Sequence, residues 1–572
     1  MRILSLSPDV WISSAALIEE GMIIAAAAEE RFNRKKMSQV FPERAMEFCL
    51  QEADITVKDL DCIVIPWNPG IHIQSGSLRY SSAMRWRGEY LYSVPSYLLN
   101  KFSFGNVDCI EQRLFCDQKN MPLYYISHHM AHAGNAFFQS PFEEAAILTV
   151  DGKGEHETCM MGTGSGTNIR KMKSVTMPHS LGLFYGSITQ YLGFMPDSDE
   201  WKVMALAAYG QEDTEYYERI KSLIRLLDDG TFELDLTYFD YYLFDKQATM
   251  YSSQMINLLG RPRKRKEPIE ETHIQIAAAL QRVFEEAATH LLVHLRKQTN
   301  TAKVVLAGGG FMNSVFNGKI VGKGIFDDVF ISSCPDDSGT SVGAALYLYH
   351  TILGNTDRKL QRHNFWGPEY SDSEIRNILE KYKVFRMYHQ DIEKVAAKLI
   401  AEGKLVGWFQ GKMEFGQRAL GNRSILANPC MAEMKDIVNK AVKYREDFRP
   451  FAPAILEEHT EEYFDVAEGT RVPYMEKVFP IKNDKRKKIP AVVHVDGSGR
   501  LQTVSRSTNA KFYNVINHFF EITGIPIVLN TSFNLNGEPI VCTPTDAIRT
   551  FFSCGLDCLA IGNYLVEKAA AK

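Results

Sequence analysis

His128, His129, Met130, Ala131 and His132 are followed, nineteen residues on, by Asp151-Gly152-Lys153-Gly154-Glu155. On a helix, His128 and His132 fall one turn apart on one face, so both imidazoles can meet one cation. The run Ala145-Ala146-Ile147-Leu148-Thr149-Val150 reads as a buried strand that carries Asp151 at its end. A later strand is expected to end at Cys334-Pro335-Asp336-Asp337-Ser338-Gly339, which would make Asp337 a second strand-end carboxylate. Two imidazoles and two carboxylates suit a divalent metal that keeps positions open for substrate. A histidine pair at this spacing more often caps or packs a helix. The adjoining glycine-rich acidic turn tips the reading towards metal. His129 stands where a His-Glu-x-x-His protease would have Glu, so no base for peptide hydrolysis is supplied there.

A second chemistry lies further along. The strand Lys303 to Ala307 runs into Gly308-Gly309-Gly310-Phe311-Met312-Asn313 and then a helix. Three glycines at that junction let backbone N–H groups approach a nucleoside or phosphate, whereas a tight turn alone would need only one. After about residue 360 cations and glycines are dense: Gln417-Arg418-Ala419, Gly421-Asn422-Arg423, Lys443-Tyr444-Arg445-Glu446-Asp447, Arg449-Pro450-Phe451-Ala452-Pro453, Asp496-Gly497-Ser498-Gly499-Arg500 and Asn530-Thr531-Ser532-Phe533-Asn534. Arginines set among apolar residues need anionic partners, because burying an unpaired guanidinium is costly. Phosphate or carboxylate ligands answer that need, and so would ion pairs with Glu446 and Asp447.

Positioning these residues calls for an α/β chain. Ile3 to Ser7, Ser13 to Ile18 and Met22 to Ala28 read as successive strands, and Ile147 to Val150, Thr158 to Gly162 and a strand near Ile169 repeat the arrangement. An acidic turn after the first strand of each half is how actin-like duplicated folds face a nucleotide and its metal. A long amphipathic helix is expected over about 274–297. The polar stretch Gly354 to Lys359 marks a boundary, giving domains 1–360 and 361–572.

Bulk properties narrow the class. At 572 residues the chain needs more than one core, and 45% hydrophobic with 23% charged residues is ordinary globular composition. A net charge of −5 gives no reason to expect nucleic acid, and this also weighs against a tRNA-modifying role. The basic runs Arg261 to Lys266 and Lys485 to Lys488 read as solvated loops. No apolar stretch is long enough to cross a bilayer, so no membrane partner is expected, and Met1 to Leu6 reads as a strand start instead of a signal peptide. Ten scattered cysteines without paired spacing fit reduced thiols and a cytoplasmic location.

Together these segments resemble the NodU/CmcH family of O-carbamoyltransferases, nearly end to end. Ala28-Glu29-Glu30-Arg31-Phe32, His128-x-x-x-His132, Asp151 to Glu155, Pro178 to Tyr185, Glu200-x-Lys202-Val203-Met204, the 308–313 loop, Asp337-Ser338-Gly339, Arg449 to Pro453 and Asn530 to Asn534 carry it jointly, by order and spacing. The look is closest to the antibiotic-modifying, aminoglycoside-type members of natural-product tailoring. The resemblance implies a duplicated actin-like (ribonuclease-H-like) N-terminal domain and a YrdC-like α/β C-terminal domain. It implies carbamoyl phosphate and ATP with Mg2+ as donors, a hydroxyl-bearing small molecule as acceptor, and a carbamoyl-adenylate made in the second domain and consumed in the first. It allows a homodimer. It places the metal (Fe2+ ahead of Zn2+ or Mn2+) on His128, His132, Asp151 and Asp337, and the nucleotide on Lys153, Gly308, Gly309, Gly310 and Asn313. Carbamoyl phosphate or the adenylate would be held by Arg418, Lys443, Arg449, Arg500, Asn530 and Ser532, with Lys443, Arg449 and Arg418 catalytic. One departure stands out: Trp11 and Ile12 occupy the place of a family His-Asp pair, leaving Asp9 or His179 as the base for the acceptor hydroxyl. A small-molecule kinase of actin-like fold and a silent nucleotide-binding regulator are the competing readings.

Overall fold

The computed structural model describes residues 1–8, 12–68, 98, 108–116, 119–211, 214–243, 249–443, 446 and 448–568. Asp9, Trp11, Tyr444, Arg445 and Asp447 lie outside the described residues. The chain divides into two compact units, the first Met1–Ala26, Gln39–Phe316 and Ile320–Gln361, the second Ala27–Ser38, Asn317–Lys319 and Arg362–Lys572.

The first unit holds two large sheets. Strands β1 (Arg2–Ser7), β2 (Ser14–Glu19), β3 (Met22–Ala28), β4 (Cys62–Ile65), β5 (Cys109–Cys116) and β6 (Lys119–Ile126) lie in the order β3-β2-β1-β4-β6-β5. Here β1 is antiparallel to β2 and parallel to β4, β4 is parallel to β6, and β5 is an antiparallel edge strand. Strands β7 (Glu144–Val150), β8 (Glu157–Ser165) and β9 (Asn168–Thr176) form the second sheet with two later strands. A separate antiparallel pair, β10 (Ile224–Leu226) and β11 (Phe232–Leu234), precedes β12 (Lys303–Ala307) and β13 (Asp328–Ile331). The second sheet runs β13-β12-β7-β8-β9, with β7 antiparallel to β8 and parallel to β12, and β12 parallel to β13. With the antiparallel edge strand β5 set aside, β3-β2-β1-β4-β6 and β9-β8-β7-β12-β13 both follow 3-2-1-4-5 when numbered within each half. That shared order is a repeat which separate apolar runs in the sequence only hint at.

Interior strands of both sheets are buried almost throughout, as continuous apolar runs in parallel sheets require. The helix His128–Gln139 packs on Thr340–Tyr347 through small residues. A β-carbon on Gly343 would come 1.9 Å from the Ala131 carbonyl oxygen, and one on Gly134 would come 2.5 Å from that of Gly343. The long helix spans Glu271–Gln298, three residues earlier than its apolar period suggests. Asp337 is not at a strand end: β13 stops at Ile331, and Asp337 opens a 3-10 turn that feeds Thr340–Tyr347. Pro335 and the Asp336 cap, which accepts from the Ser338 amide and hydroxyl, end the extended run early.

The second unit is built on one mixed sheet. Its strands are β14 (Met387–Tyr388), β15 (Val406–Phe409), β16 (Arg423–Ala427), β17 (Ala452–Leu456), β18 (Lys477–Pro480), β19 (Ser498–Val504), β20 (Ile527–Ser532), β21 (Cys558–Ile561) and β22 (Tyr564–Glu567). They lie in the order β14-β22-β21-β15-β16-β20-β17-β19-β18. Side chains alternate between two cores: Ile425, Ile455 and Leu529 enter one, Leu426, Ala454 and Val528 the other. Because β16 and β17 are both antiparallel to β20 and β19 is parallel to β17, the starts of β16, β17 and β19 share one sheet end with the finish of β20.

Two early segments belong to this unit, although an expected boundary near 360 leaves them out. Arg31 donates from Nη2 to the Gly416 carbonyl at 2.8 Å, and Arg34 donates to Pro539 and Ile540 carbonyls at 2.8 and 2.6 Å. Asn317 donates to the Glu476 carbonyl at 2.9 Å.

Candidate functional site

In the first unit, His128, His132, Asp151 and Asp337 bring four donor atoms within 4.8 Å of one another. His128 Nε2 lies 3.1 Å from His132 Nε2, 3.3 Å from Asp151 Oδ2 and 3.4 Å from Asp337 Oδ1. His132 Nε2 is 3.9 and 3.5 Å from the same two carboxylate oxygens. Ligands held about 2.1 Å from one ion sit roughly 3.0–3.4 Å apart, so the set has the dimensions of a divalent metal cradle. Both imidazoles are fully buried. Burial opposes charge on His128, but Asp337 and Asp151 outweigh it and hold its pKa well above the usual range. Burial would raise the Asp337 carboxyl, yet His128 and His132 pull it far below the ordinary carboxylate range. The donors thus behave as a charged, desolvated cluster, which is the chemistry a cation fits.

Each donor is placed by backbone. Gly309 N–H donates to Asp151 Oδ1 at 2.7 Å, so the glycine loop positions a carboxylate of the cradle. Gly308, at φ 91°, donates to the Pro335 carbonyl at 2.7 Å, and a β-carbon there would meet the Val150 carbonyl oxygen at 2.2 Å. Asn313 caps the helix at Ser314 through the Phe316 amide and exchanges amide hydrogen bonds with Gln281 at 2.9 and 3.1 Å. Around the cradle, burial pushes Asp197 up to about 6 against the opposing Lys153, and pushes Glu200 up to about 8 with Asp197 adding to it. His179 accepts the Leu234 amide on Nδ1 at 3.0 Å, so its proton sits on Nε2 and that ring has no lone pair left to act as base.

Sequence reasoning assigned no role to Glu155. Its buried carboxylate accepts the His128 amide at 3.0 and 3.2 Å and the Asn68 amide at 2.6 Å. It caps the helix that carries His128 and His132 from 27 residues away, since the local cap residue Ser127 makes no side-chain cap bond. The Asp-Gly-x-Gly-Glu spacing was the available signal.

In the second unit the candidate cations gather at the sheet end defined above. Arg449 precedes β17, Arg500 lies near the start of β19, Arg418 enters β16, and Asn530 and Ser532 finish β20. Lys443 is buried and reaches across to Ser532 and Asn534, donating to the Ser532 carbonyl and, at 2.8 Å, to Asn534 Oδ1. Arg449 pairs with Glu446 at 3.2 Å. Asn530 donates to Gln502 at 2.8 Å and to the Ala419 carbonyl at 3.2 Å. Arg423 is different: fully buried, it stacks 3.7 Å over the Phe409 ring and donates to the Gln410, Gly411, Asn422 and Pro368 carbonyls. Its role is architectural.

Comparison with known proteins covers most of both units. The family described as Carbamoyltransferase N-terminus matches residues 2–346, and Carbamoyltransferase C-terminus matches 397–568. An uncharacterized protein of Synechocystis sp. is 37% identical over 100% of this chain and 97% of its own length. Nodulation protein NolNO of Sinorhizobium fredii is 36% identical over 98% of this chain and 79% of that protein, and nodulation protein NolO of Bradyrhizobium diazoefficiens 40% identical over 78% and 79%. Matched along both halves in the order the fold presents them, the chain belongs to the NodU/CmcH carbamoyltransferase family and is an enzyme that transfers carbamoyl groups.

Proposed function

We propose that the protein is an ATP-dependent O-carbamoyltransferase acting in two half-reactions. The observation that carries this reading is the gathering of Lys443, Arg449, Arg500, Asn530 and Ser532 at one sheet end of the second unit, apart from the metal cradle of the first. Carbamoyl phosphate and ATP are both polyanions, and joining them needs several cations to offset repulsion. Lys443, Arg449 and Arg418 neutralise the phosphates, while Arg500, Asn530 and Ser532 orient the carbamoyl phosphate. Water cleaves carbamoyl phosphate to carbamate and inorganic phosphate, the carbamate oxygen attacks the α-phosphorus of ATP, pyrophosphate leaves, and carbamoyl-adenylate remains. The acceptor oxygen then attacks the carbamoyl carbon, AMP leaves, and the hydroxyl proton passes to a base.

In the first unit Lys153, Gly308, Gly309, Gly310 and Asn313 seat the nucleotide, with Mg2+ accompanying ATP. His128, His132, Asp151 and Asp337 hold the resident metal. Fe2+, ahead of Zn2+ or Mn2+, would supply Lewis acidity and a template there. The 3-2-1-4-5 order, repeated once the edge strand β5 is set aside, supports an actin-like first unit, and the cation-bearing mixed sheet supports a YrdC-like second one. The acceptor is a hydroxyl of a small-molecule natural product or sugar, as in antibiotic tailoring, and the enzyme works in the cytoplasm, as a monomer or homodimer. Family membership sets aside the kinase and regulator readings.

Incubation with ATP and carbamoyl phosphate, without acceptor, should release pyrophosphate and yield carbamoyl-adenylate by mass spectrometry. Absence of pyrophosphate above a heat-inactivated control would overturn the two-step scheme.

A further inference from the structure

His494 lies among cations in the second unit, yet it presents an acceptor. Its backbone closes a tight turn: His494 N–H donates to the Ser498 carbonyl at 2.8 Å, and Gly497 N–H donates to the His494 carbonyl at 2.9 Å. Gly497 adopts φ 80°, a left-handed value that favours glycine, and a β-carbon there would meet the Arg486 guanidinium at 2.3 Å.

The turn fixes the histidine tautomer. Ser498 Oγ is 2.6 Å from Asp496 Oδ1, so the hydroxyl proton goes to that carboxylate. Ser498 Oγ is also 3.2 Å from His494 Nδ1, and with its own proton spent it can only accept there. Nδ1 therefore carries the proton and Nε2 the lone pair. Nε2 is buried and has no hydrogen-bond partner among the described residues. The charged groups acting on the ring are Asp496, Arg500 and Lys435; burial first, then the two cations, depress its pKa to about 4, so the ring is neutral at physiological pH.

A phosphate ligand offers acceptors to Lys443, Arg449 and Arg500. A carbamoyl group adds one feature those donors cannot read, an amino group with N–H bonds to give. We infer that His494 Nε2 accepts a hydrogen bond from the amino group of carbamoyl phosphate and is the residue that selects the carbamoyl donor over acyl phosphates lacking that group. This rests on the assignment of Arg500 and its neighbours to carbamoyl phosphate. A site built around a polar contact rejects analogues lacking it, because its own buried group is left unpaired.

Acetyl phosphate, with methyl in place of the amino group, is the probe. In the pyrophosphate-release assay, the KM for carbamoyl phosphate and the Ki for acetyl phosphate as competitor are measured together. Wild type should show a Ki at least tenfold above KM. His494→Ala should raise KM about tenfold or more and leave Ki within about twofold, a loss of roughly 1.4 kcal/mol of discrimination. His494→Gln, which keeps an acceptor, should restore part of the gap and covers the case in which the alanine variant fails to fold. Equal rises in KM and Ki, or no change in either, would overturn the inference. Wild type without pyrophosphate release would instead overturn the two-step scheme on which it rests.

Discussion

The candidate metal cradle of the first unit is a largely buried charge cluster and the cation-rich sheet end of the second a partly buried one, and they are built by different rules. In the cradle, four donors of two kinds converge on one point, and backbone groups of other segments hold them there: the Gly309 amide on Asp151, and Glu155 on the amide of His128. At the sheet end, described cations have their own local partners, Lys443 with Ser532 and Asn534, Arg449 with Glu446, Arg423 with four backbone carbonyls. A convergent cluster serves a small cation, which fits one point. A spread of separately tethered cations serves a polyanion, whose charge is distributed.

The sharpest test of that contrast removes one donor from the cradle. Asp337→Ala should abolish carbamoylated product, by about 10³-fold or more, because a buried set missing one carboxylate leaves its histidines without charge compensation. Metal content should fall with it, while pyrophosphate release stays within about twofold of wild type. If product and pyrophosphate fall together in a folded variant, the two clusters do not divide the labour.

The next test sets one cation of the sheet end against another. Lys443→Ala should lower pyrophosphate release by about 10²–10³-fold, well beyond what the loss of its bonds to Ser532 and Asn534 removes in folded protein, as expected for a residue that serves the reacting phosphates. Arg423→Met should do the reverse. Its guanidinium satisfies four backbone carbonyls inside the core, so its loss should cost stability of about 3–5 kcal/mol, and activity should fall only as folded protein is lost. Equal behaviour of the two variants would show that Arg423 and Lys443 do not divide into an architectural and a ligand-facing cation.

That distinction was invisible in the sequence. Arg423 and Arg449 both sit among apolar residues, and only the tertiary path of Pro368 and Gln410 shows that both Nη atoms of the first are held by backbone carbonyls. The cradle was more legible, because i,i+4 histidines on a helix and a glycine-flanked Asp151 are local patterns, and local patterns survive folding. Asp337 was found by residue type, but its setting was misjudged: Pro335 and the Asp336 cap turn the chain before a strand can reach it. Residues 27–38 could not have been assigned to the second unit, since Arg31 meets Gly416 across 385 residues and no composition shift marks the segment. The basic run Arg261 to Lys266 hid a buried member, Arg263, whose Nε donates to the Leu192 carbonyl at 2.6 Å. Charge runs read as solvated faces can still contribute one inward residue.

The smallest expected effect concerns the supports of the two clusters. Glu155 holds the cradle through a helix start, whereas Glu446 holds Arg449 from a half-exposed position. Glu155→Gln keeps an acceptor for the His128 and Asn68 amides but removes a carboxyl that burial pushes up to about 7, and with it the negative charge present at the helix N-terminus above that pH. Such a charge contributes about 0.3–1 kcal/mol, up to ~2 kcal/mol where partly buried. Stability should therefore fall by about 1 kcal/mol, and because the same helix start carries His128, metal affinity should fall severalfold as the imidazole loses its fixed position. Glu446→Gln should leave stability within about 0.5 kcal/mol, since partly exposed ion pairs contribute little. Its effect should appear in the KM for carbamoyl phosphate, through a less restrained Arg449. Denaturant unfolding with metal titration separates the two variants. A shift in metal affinity for Glu446→Gln, or none for Glu155→Gln, would mean that the two clusters are not held in the two ways described.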